Sequence, residues 1–452
     1  MELDRLIAAL EPTEVVNAAS LEIDDLAYDS RAVRPGALFF CVPGTRADGH
    51  DLAEEAVAHG AAALVVERRV AASVPQLVVP SVRAAMPVAA NTFFRMPSGE
   101  LEIAAVTGTN GKTTTVFLLH SILDAAGRRP GLLTNIERRA GGESVPLGLN
   151  TPEAIDLQRL LRSMLDAGDR SCAMEATSIG ASQGRLRGTR FAVLVFTNLT
   201  QDHLDFHGTM EEYFAAKREL FDQAEHAVVN VGDEWGRRLA AELPAARTFT
   251  PDDELPDVGL RLVGRFNRTN ALGAVLAARE LGIDEESIRA GVAGLTSVPG
   301  RFEVVDEGQP FTVIVDYAHT PDSLANILEA ARPLGDGRLV VVFGAGGDRD
   351  REKRPLMGQI AESHGDRAIV TTDNPRSEDP AAIAEQVAGG SLEIILDRRD
   401  AIETAIADAA PGDVVVIAGK GADREMELAD GNVPFDDRDV ARAALRRTGA
   451  TA

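Results

Sequence analysis

The stretch Val106-Thr107-Gly108-Thr109-Asn110-Gly111-Lys112-Thr113-Thr114-Thr115 combines the parts of a phosphate cradle. Gly108 and Gly111 let backbone N–H groups approach an anion closely. A helix starting here adds the partial positive charge of its N-terminus. Lys112 is placed to reach terminal phosphates, and Thr113 to offer a hydroxyl to Mg²⁺. The strict spacing of the common phosphate-loop pattern is not met, because Val106 stands where its first glycine would be. The strand–turn–helix setting is what favours phosphate binding over a chance Lys-Thr in a Gly-rich turn.

A second cluster is Thr197-Asn198-Leu199-Thr200-Gln201-Asp202-His203-Leu204-Asp205-Phe206-His207, followed by Lys217. His203 and His207 have the spacing of two zinc ligands on a helix face, but Leu204 occupies the place of the glutamate that a zinc hydrolase needs. Asp and His beside a nucleotide suit Mg²⁺ held partly through phosphate oxygens. His207 by itself reads equally well as a solvated or capping side chain. A third cluster, Met174-Glu175-Ala176-Thr177-Ser178, closes a strand. Glu175 there is a metal-ligand candidate or a solvated carboxylate.

Four further strand ends carry polar or Gly-rich loops: Asp316–Asp322, Gly344–Arg351, Asp373–Arg376 and Gly419–Gly421. Singly each is an ordinary surface loop. Together, on one edge of one sheet, they describe a binding crevice. Arg349 and Arg376 are planar donors that could clamp a carboxylate.

The elements that must position these residues fall into three blocks. Residues 1–99 show a β-α-β rhythm, with strands at Ala37–Val42, Ala61–Val66 and Gln76–Val79 around a helix at Asp51–His59. Met96-Pro97-Ser98-Gly99 reads as a linker. Residues 100–298 open on the strand Leu101–Val106 and a helix at Thr113–Ala126. Strands at Ser171–Glu175 and Phe191–Thr197 follow, with helices at Ala154–Ala167, Met210–Ala224 and Arg268–Leu281. Residues 299–452, beyond the Val298-Pro299-Gly300 turn, hold strands at Phe311–Asp316, Arg338–Phe343, Arg367–Thr371 and Asp413–Ala418. Helices at Asp322–Ala331, Lys353–Ser363 and Ala401–Ala407 lie between them. The fold class is therefore α/β with largely parallel sheets.

The chain of 452 residues carries a net charge of −24, with 45% apolar and 26% charged residues. That is a globular balance, and the acidic excess argues against a nucleic-acid partner. Two cysteines, Cys41 and Cys172, make neither a disulfide framework nor a metal pair, which fits a reducing cytoplasm. No signal peptide and no membrane span are expected.

The runs TGTNGKTTT, NLTQDHLDFHGTMEEYFAAKRELF, RFNRTNALGA, VPGRFE, DYAHTPDSL, FGAGGDRDREKRPLMG, TTDNPRSEDP and PFDDRDVA resemble the Mur ligases, in the family's order and across essentially the whole chain. The resemblance implies three domains: residues 1–99 binding the UDP end of the substrate, 100–298 a P-loop-type ATPase domain, and 299–452 a Rossmann-like domain for the incoming amino acid. It implies an ATP- and Mg²⁺-dependent ligase. That ligase adds meso-diaminopimelate to the D-Glu γ-carboxylate of UDP-N-acetylmuramoyl-L-Ala-D-Glu through an acyl phosphate, in peptidoglycan synthesis in the cytoplasm. A monomer acting on small molecules is expected.

Carried over residue by residue, the resemblance assigns ATP to Thr109, Asn110, Gly111, Lys112, Thr113, Thr114, Asn267, Asn270, Arg301, Asp316 and His319. Mg²⁺ falls to Thr113, Glu175 and His203, and to Lys217 as a carbamate (N6-carboxylysine). By the residues alone, Lys217 is an exposed helix lysine. The UDP substrate falls to Tyr28, Ser30, Thr45, Arg46, Ala47, Thr151, Thr177, Gln183 and Arg185, and the amino acid to Arg349, Asp373, Asn374, Pro375, Arg376, Gly419 and Asp423.

Hinge closure around Val298–Gly300 is implied as well. Arg376 suits the second carboxylate of diaminopimelate, which lysine lacks. The chain departs from the family at Thr177-Ser178-Ile179 for Ser-Ser-His, at Asn150-Thr151-Pro152 for Thr-Thr-Pro, and at Gly421-Ala422-Asp423 for Gly-His-Glu. Asp423 is one methylene short of Glu, which keeps lysine or another diamino acid open as the substrate. A non-catalytic nucleotide switch is the reading from another class; the presence of Lys112, Glu175, His203 and Lys217 together weighs against it.

Overall fold

The structure, a computed structural model, describes residues 1–44, 47–146 and 148–449. It contains three α/β sheets in sequence order. The first has strands β1 (Glu14–Val16), β2 (Asp25–Ala27), β3 (Ala37–Phe40), β4 (Ala61–Val66) and β5 (Gln76–Val78), in the order β1-β5-β4-β3-β2. Only β1 runs antiparallel, on the edge. Strands β3 and β4 are near-continuous apolar runs because both faces are covered. Leu38, Phe40, Ala63 and Val65 pack into one core, and Phe39, Leu64 and Val66 into another.

The second sheet comprises β6 (Glu102–Thr107), β7 (Pro130–Leu133), β8 (Arg138–Ala140), β9 (Glu143–Ser144), β10 (Ser171–Glu175), β11 (Phe191–Phe196), β12 (Ala224–Asn230) and β13 (Arg247–Phe249). Their order is β13-β12-β11-β6-β10-β7-β8-β9. The pairs β6–β10, β10–β7 and β12–β13 are parallel; β8 and β9 form an antiparallel edge. The third sheet has β14 (Glu303–Val304), β15 (Thr312–Asp316), β16 (Leu339–Phe343), β17 (Arg367–Val370), β18 (Glu393–Ile394) and β19 (Val414–Ala418), ordered β14-β15-β19-β16-β17-β18 and parallel apart from β14. A separate hairpin follows, β20 (Glu425–Leu428) and β21 (Gly431–Pro434).

By internal contacts the chain divides into two compact units, and the division runs through the second sheet. One unit is Met1–Thr107, Gly127–Leu194 and Ala216–Ala227; the other is Gly108–Ala126, Val195–Ala215 and Val228–Ala452. No helix among the described residues is long and apolar enough to cross a membrane. Both cysteines are free and buried, and burial pushes the Cys41 thiol up to about 12.

Several expectations are corrected. Met96–Gly99 is not an open linker: Pro97–Gly99 is a short 3₁₀ turn with Pro97 and Ser98 buried, and the Ser98 hydroxyl accepts the Arg190 N–H at 3.2 Å. The helix expected over 210–224 ends at Arg218 and tightens to 3₁₀ over Glu219–Gln223. The helix expected from Ala401 starts at Arg398, because the Asp397 carboxylate accepts the N–H groups of Arg399 and Asp400 and so fixes the start. The β8–β9 edge hairpin was not anticipated; it is short and mostly polar, so it carries little alternation.

Candidate active site

The phosphate-type loop leaves β6 and enters the helix Lys112–Ala125. Its shape is set by the loop after β11. Thr109 N–H donates to the Asn198 carbonyl at 2.9 Å, Asn110 N–H to the Asn198 side-chain oxygen at 2.9 Å, and the Thr197 hydroxyl to the Asn110 carbonyl at 2.7 Å. The Thr109 hydroxyl lies 3.1 Å from the buried Tyr213 hydroxyl. Gly108 sits at φ +145°, and a Cβ there would meet the Thr197 hydroxyl oxygen at 1.9 Å; a Cβ on Gly111 would meet the Asn270 side-chain oxygen at 2.3 Å. Glycine is thus demanded at both positions by close approach. Lys112 Nζ donates to the carbonyls of Gly108 and Thr109, at 3.1 and 2.8 Å, so its charge lies at the loop itself. Asn270 donates to Asn267 at 3.2 Å, and Asn267 to the Val263 carbonyl at 2.7 Å, so both expected asparagines form one buried pair against the loop.

The same compact unit joins residues far apart in sequence to this loop. Arg301 Nη2 donates to the Thr113 hydroxyl at 3.0 Å, and its guanidinium lies over the Tyr317 ring at 4.1 Å. Asn110 donates to Asp322 at 2.9 Å. Asp316 spends its carboxylate on the N–H groups of Phe302 (2.6 Å) and Ala318 (2.7 Å); it therefore positions the neighbours Arg301 and His319, while burial pushes its own pKa up. His319 Nδ1 donates to the Tyr317 carbonyl at 2.8 Å, which turns Nε2 toward Asp202, 3.8 Å away. Asp202 also lies 4.0 Å from the buried Lys353 ammonium and 3.5 Å from His203 Nε2. Burial opposes its charge, but the His319 bond and the charges of His203, His319 and Lys353 outweigh it and hold the carboxyl well below the usual range. Asp202 and Lys353 were not singled out as site residues. Asp202 stood in the Asp-His cluster, and Lys353 at the start of an expected helix, but nothing in the sequence joined the two.

Glu175 ends β10 almost fully buried, in register with Val106 of β6. Lys217 is 1% exposed, which corrects its reading as an exposed helix lysine. His203 has φ +55° and precedes the four-residue helix Leu204–His207, so the two histidines do not share a helix face. His207 is buried and stacks on Tyr213 with ring centroids 5.0 Å apart, which corrects the solvated reading. Among the described residues no group of three or more His, Cys, Asp and Glu side chains is placed to hold a metal.

The residues expected to meet a UDP substrate belong to the other unit. Thr45 and Arg46 lie outside the described residues, and Ala47 is exposed. Tyr28 donates to Asp156 at 2.5 Å and Ser30 to Glu55 at 3.1 Å. Thr151 and Thr177 hydroxyls are 2.8 Å apart, and Thr177 caps the helix Ser178–Ser182. Arg185 donates to the Thr151 carbonyl at 3.0 Å, pairs with Glu153 at 3.0 Å and bonds Gln183. Thr151, Thr177, Gln183 and Arg185 thus form one cluster.

At the C-terminal ends of the third sheet, Asp373, Asn374 and Pro375 are buried, while Arg349 is exposed and bonds only the adjacent Asp348 carbonyl (3.0 Å) among its recorded contacts. Gly419 sits against Asp373, whose carboxylate oxygen a Cβ would meet at 2.4 Å. The fully buried Lys420 ammonium donates to Asn374 Oδ1 at 2.9 Å and to the Glu425 carbonyl at 2.6 Å. Arg376, at φ +52°, pairs with Glu427 and donates to the Gly347 carbonyl. Asp423 lies among Lys420, Asp373, Arg301 and His319, and burial raises its carboxyl to about 6. Beneath the loops, Arg398 and Asp437 form a fully buried two-pronged ion pair, both bonds 2.7 Å, with Arg398 also donating to the Thr372 and Ala418 carbonyls at two strand ends. Gly300 and Gly421 cross backbone to backbone: a Cβ on Gly300 would meet Ala422 N at 2.1 Å, and one on Gly421 the Gly300 oxygen at 2.6 Å.

Comparison with family models matches three stretches of the chain. Residues 22–99 match the family described as Mur ligase family, catalytic domain; 106–250 match Mur ligase middle domain; 300–421 match Mur ligase, glutamate ligase domain. The chain belongs to the Mur ligase family.

Among its relatives, it is 44% identical to the UDP-N-acetylmuramoyl-L-alanyl-D-glutamate–2,6-diaminopimelate ligase of Geobacillus kaustophilus, over 99% of this chain and 100% of that protein. It is also 44% identical to the protein of the same name from Gloeobacter violaceus, over 95% of each. A solved structure titled as this same ligase is 31% identical, with a TM-score of 0.64 over 94% of this chain and 95% of that one. A MurF ligase of Thermotoga maritima, in complex with ADP, shares the fold at 22% identity and a TM-score of 0.65, over 94% of this chain and 98% of that one.

Proposed function

We propose that this chain is the ATP-dependent ligase that adds meso-2,6-diaminopimelate to the D-Glu γ-carboxylate of UDP-N-acetylmuramoyl-L-Ala-D-Glu, in peptidoglycan synthesis in the cytoplasm. The observation that carries the reading is the Arg301–Thr113 hydrogen bond, which brings the third block onto the phosphate loop. Residues 1–99 would receive the UDP end, 100–298 ATP, and 299–452 the amino acid. The relatives named above, near 44% identity over almost their whole length, support the substrate assignment.

A carboxylate is a poor electrophile. Transfer of the γ-phosphoryl group of ATP onto it gives an acyl phosphate with a good leaving group. The amine of the amino acid then attacks the acyl carbon, and the tetrahedral intermediate expels phosphate to leave the amide. Lys112 neutralises charge on the transferring group, and the N–H groups of the Gly108–Gly111 loop orient the phosphates. Arg301, bonded to the Thr113 hydroxyl, would lend its charge to the phosphates. Asp316 and the His319 loop hold it in place from behind.

The donor chemistry of Thr113 and Glu175 is hard oxygen and suits Mg²⁺, which keeps phosphate oxygens and water in its shell and so needs few protein ligands. Thr113, Glu175, His203 and a carbamate on Lys217 would hold it. When bound, it supplies charge neutralisation at the phosphates. Lys217 is buried, not on a solvent-facing side of its helix, which agrees with a role inside the protein.

The test is phosphate release from ATP with Mg²⁺ and UDP-N-acetylmuramoyl-L-Ala-D-Glu, comparing meso-diaminopimelate, L-lysine and no amino acid. Release dependent on diaminopimelate is expected. Release only with lysine would overturn the substrate assignment, and no release with any of them would overturn the ligase reading.

A further inference from the structure

The site contains an ion pair that the family resemblance does not account for. Arg376 Nε donates to Glu427 Oε2 at 2.8 Å, and Nη2 lies 3.4 Å from Oε1. Glu427 is held at this spot by its backbone too. Its N–H donates to Asn374 Oδ1 at 3.0 Å, and its carbonyl accepts the Arg376 N–H at 3.0 Å. The same Asn374 oxygen takes the Lys420 ammonium at 2.9 Å. Arg376 adopts φ +52°, a left-handed conformation that a non-glycine residue keeps only where its surroundings impose it. The surroundings here are the Glu427 carbonyl and the Gly347 carbonyl, which accepts Nη1 at 2.8 Å. The pair is only partly covered, with side chains 20% and 44% exposed, so it faces an accessible space.

An arginine beside a fixed carboxylate presents a positive and a negative charge side by side. The complementary ligand end is one carbon bearing both a carboxylate and an ammonium. Neither a bare ammonium nor a bare carboxylate satisfies both halves. Asp423, the residue at the family's usual glutamate position, is influenced by Lys420, Asp373, Arg301 and His319. It is also the shorter acid.

We propose that Glu427, on the β20–β21 hairpin, is a specificity-determining residue that receives the distal ammonium of the incoming amino acid while Arg376 receives the distal carboxylate. This rests on the amino-acid site of the proposed function. The hairpin then does the selecting that a longer acid at position 423 would otherwise do.

The experiment measures kcat and KM for the wild type, Glu427→Gln and Glu427→Asp with meso-diaminopimelate, L-2-aminopimelate (no distal amine) and L-lysine (no distal carboxylate). Wild type is expected to favour diaminopimelate over 2-aminopimelate. In Glu427→Gln that preference should fall about 10- to 100-fold, the worth of a hydrogen bond to a charged group. The loss should be carried by KM for diaminopimelate, with KM for 2-aminopimelate unchanged or lower. Glu427→Asp keeps the charge and should fall between. Thermal midpoints of the three proteins report folding.

An unchanged preference in Glu427→Gln overturns the inference. An equal KM rise for diaminopimelate and 2-aminopimelate also overturns it, since it would mean that Glu427 only steadies Arg376. Wild type that turns over lysine but not diaminopimelate overturns the substrate assignment, and the inference with it.

Discussion

The phosphate loop and the strand-end loops of the third sheet do comparable jobs but are held by opposite means. Around Gly108–Lys112 most of the fixing contacts are neutral, from Asn198, Thr197 and Tyr213; Asn110 also donates to the Asp322 carboxylate, and Lys112 is the one formal charge within the loop. Around Asp373–Arg376 and Gly419–Asp423 the fixing contacts are ionic: Arg398–Asp437, Arg354–Glu378 and Arg376–Glu427. Preset dipoles and a single cation suit a polyanion. A zwitterion is best received by charges already compensated, since each half of the ligand finds its opposite. Under the proposed function, the difference between the two regions is a difference between their ligands.

Four substitutions would break or sharpen this contrast. The largest effect is expected from Lys112→Ala, which removes the loop's charge: turnover should fall about 1,000-fold or more, followed as phosphate release, with the thermal midpoint little changed. A loss below tenfold would mean that the dipoles suffice. Next, Asp437→Asn leaves Arg398 buried without its counter-charge and should cost about 3–5 kcal/mol by urea unfolding. Asn198→Ala, on the neutral side, should cost only about 1–2 kcal/mol. Equal costs would erase the distinction.

The smallest effect is expected at Asp423. Its carboxyl sits at about 6, above the ordinary carboxylate value, so the folded state holds its proton more tightly than the unfolded chain. Its contribution is complete at low pH and is lost as pH rises from about 4 through about 6. Asp423→Asn should cancel that loss. Relative to wild type, the variant should gain on the order of 1 kcal/mol between pH 5 and pH 8, read from urea midpoints at the two pH values.

The phosphate loop was legible because its signals are local: two glycines, a lysine and a threonine between a strand and a helix. Glu175 was legible for a similar reason, as the last residue of an apolar strand. The burial of Lys217 was not, because Met210–Arg218 reads as a polar, charged helix, and only tertiary packing covers one of its lysines. The Asp202–His319–Lys353 grouping was not legible either. Its members come from two loops and the start of the helix Lys353–His364, more than a hundred residues apart at the extremes, and nothing in spacing joins them. Nothing in the sequence joins Arg398 to Asp437, and only the fold makes them a pair without solvent. The reading of Arg376 from its motif was residue-specific, yet its partner Glu427 lies on a hairpin whose strands are too short and polar to announce themselves.

The crossing of Gly300 and Gly421 has a consequence for how this chain can vary. Neither position carries a side chain that touches anything, so a survey of functional groups would pass over both. Yet each forbids a methyl group because of the other's loop, and both sit at positive φ. In a saturation library selected for growth or turnover, the two positions should tolerate as few replacements as Lys112. Relief at one would have to come with a shift of the other loop. Because each clash is with backbone, a second substitution does not relieve the first, and the two glycines together fix the joint beside Arg301 and Asp423.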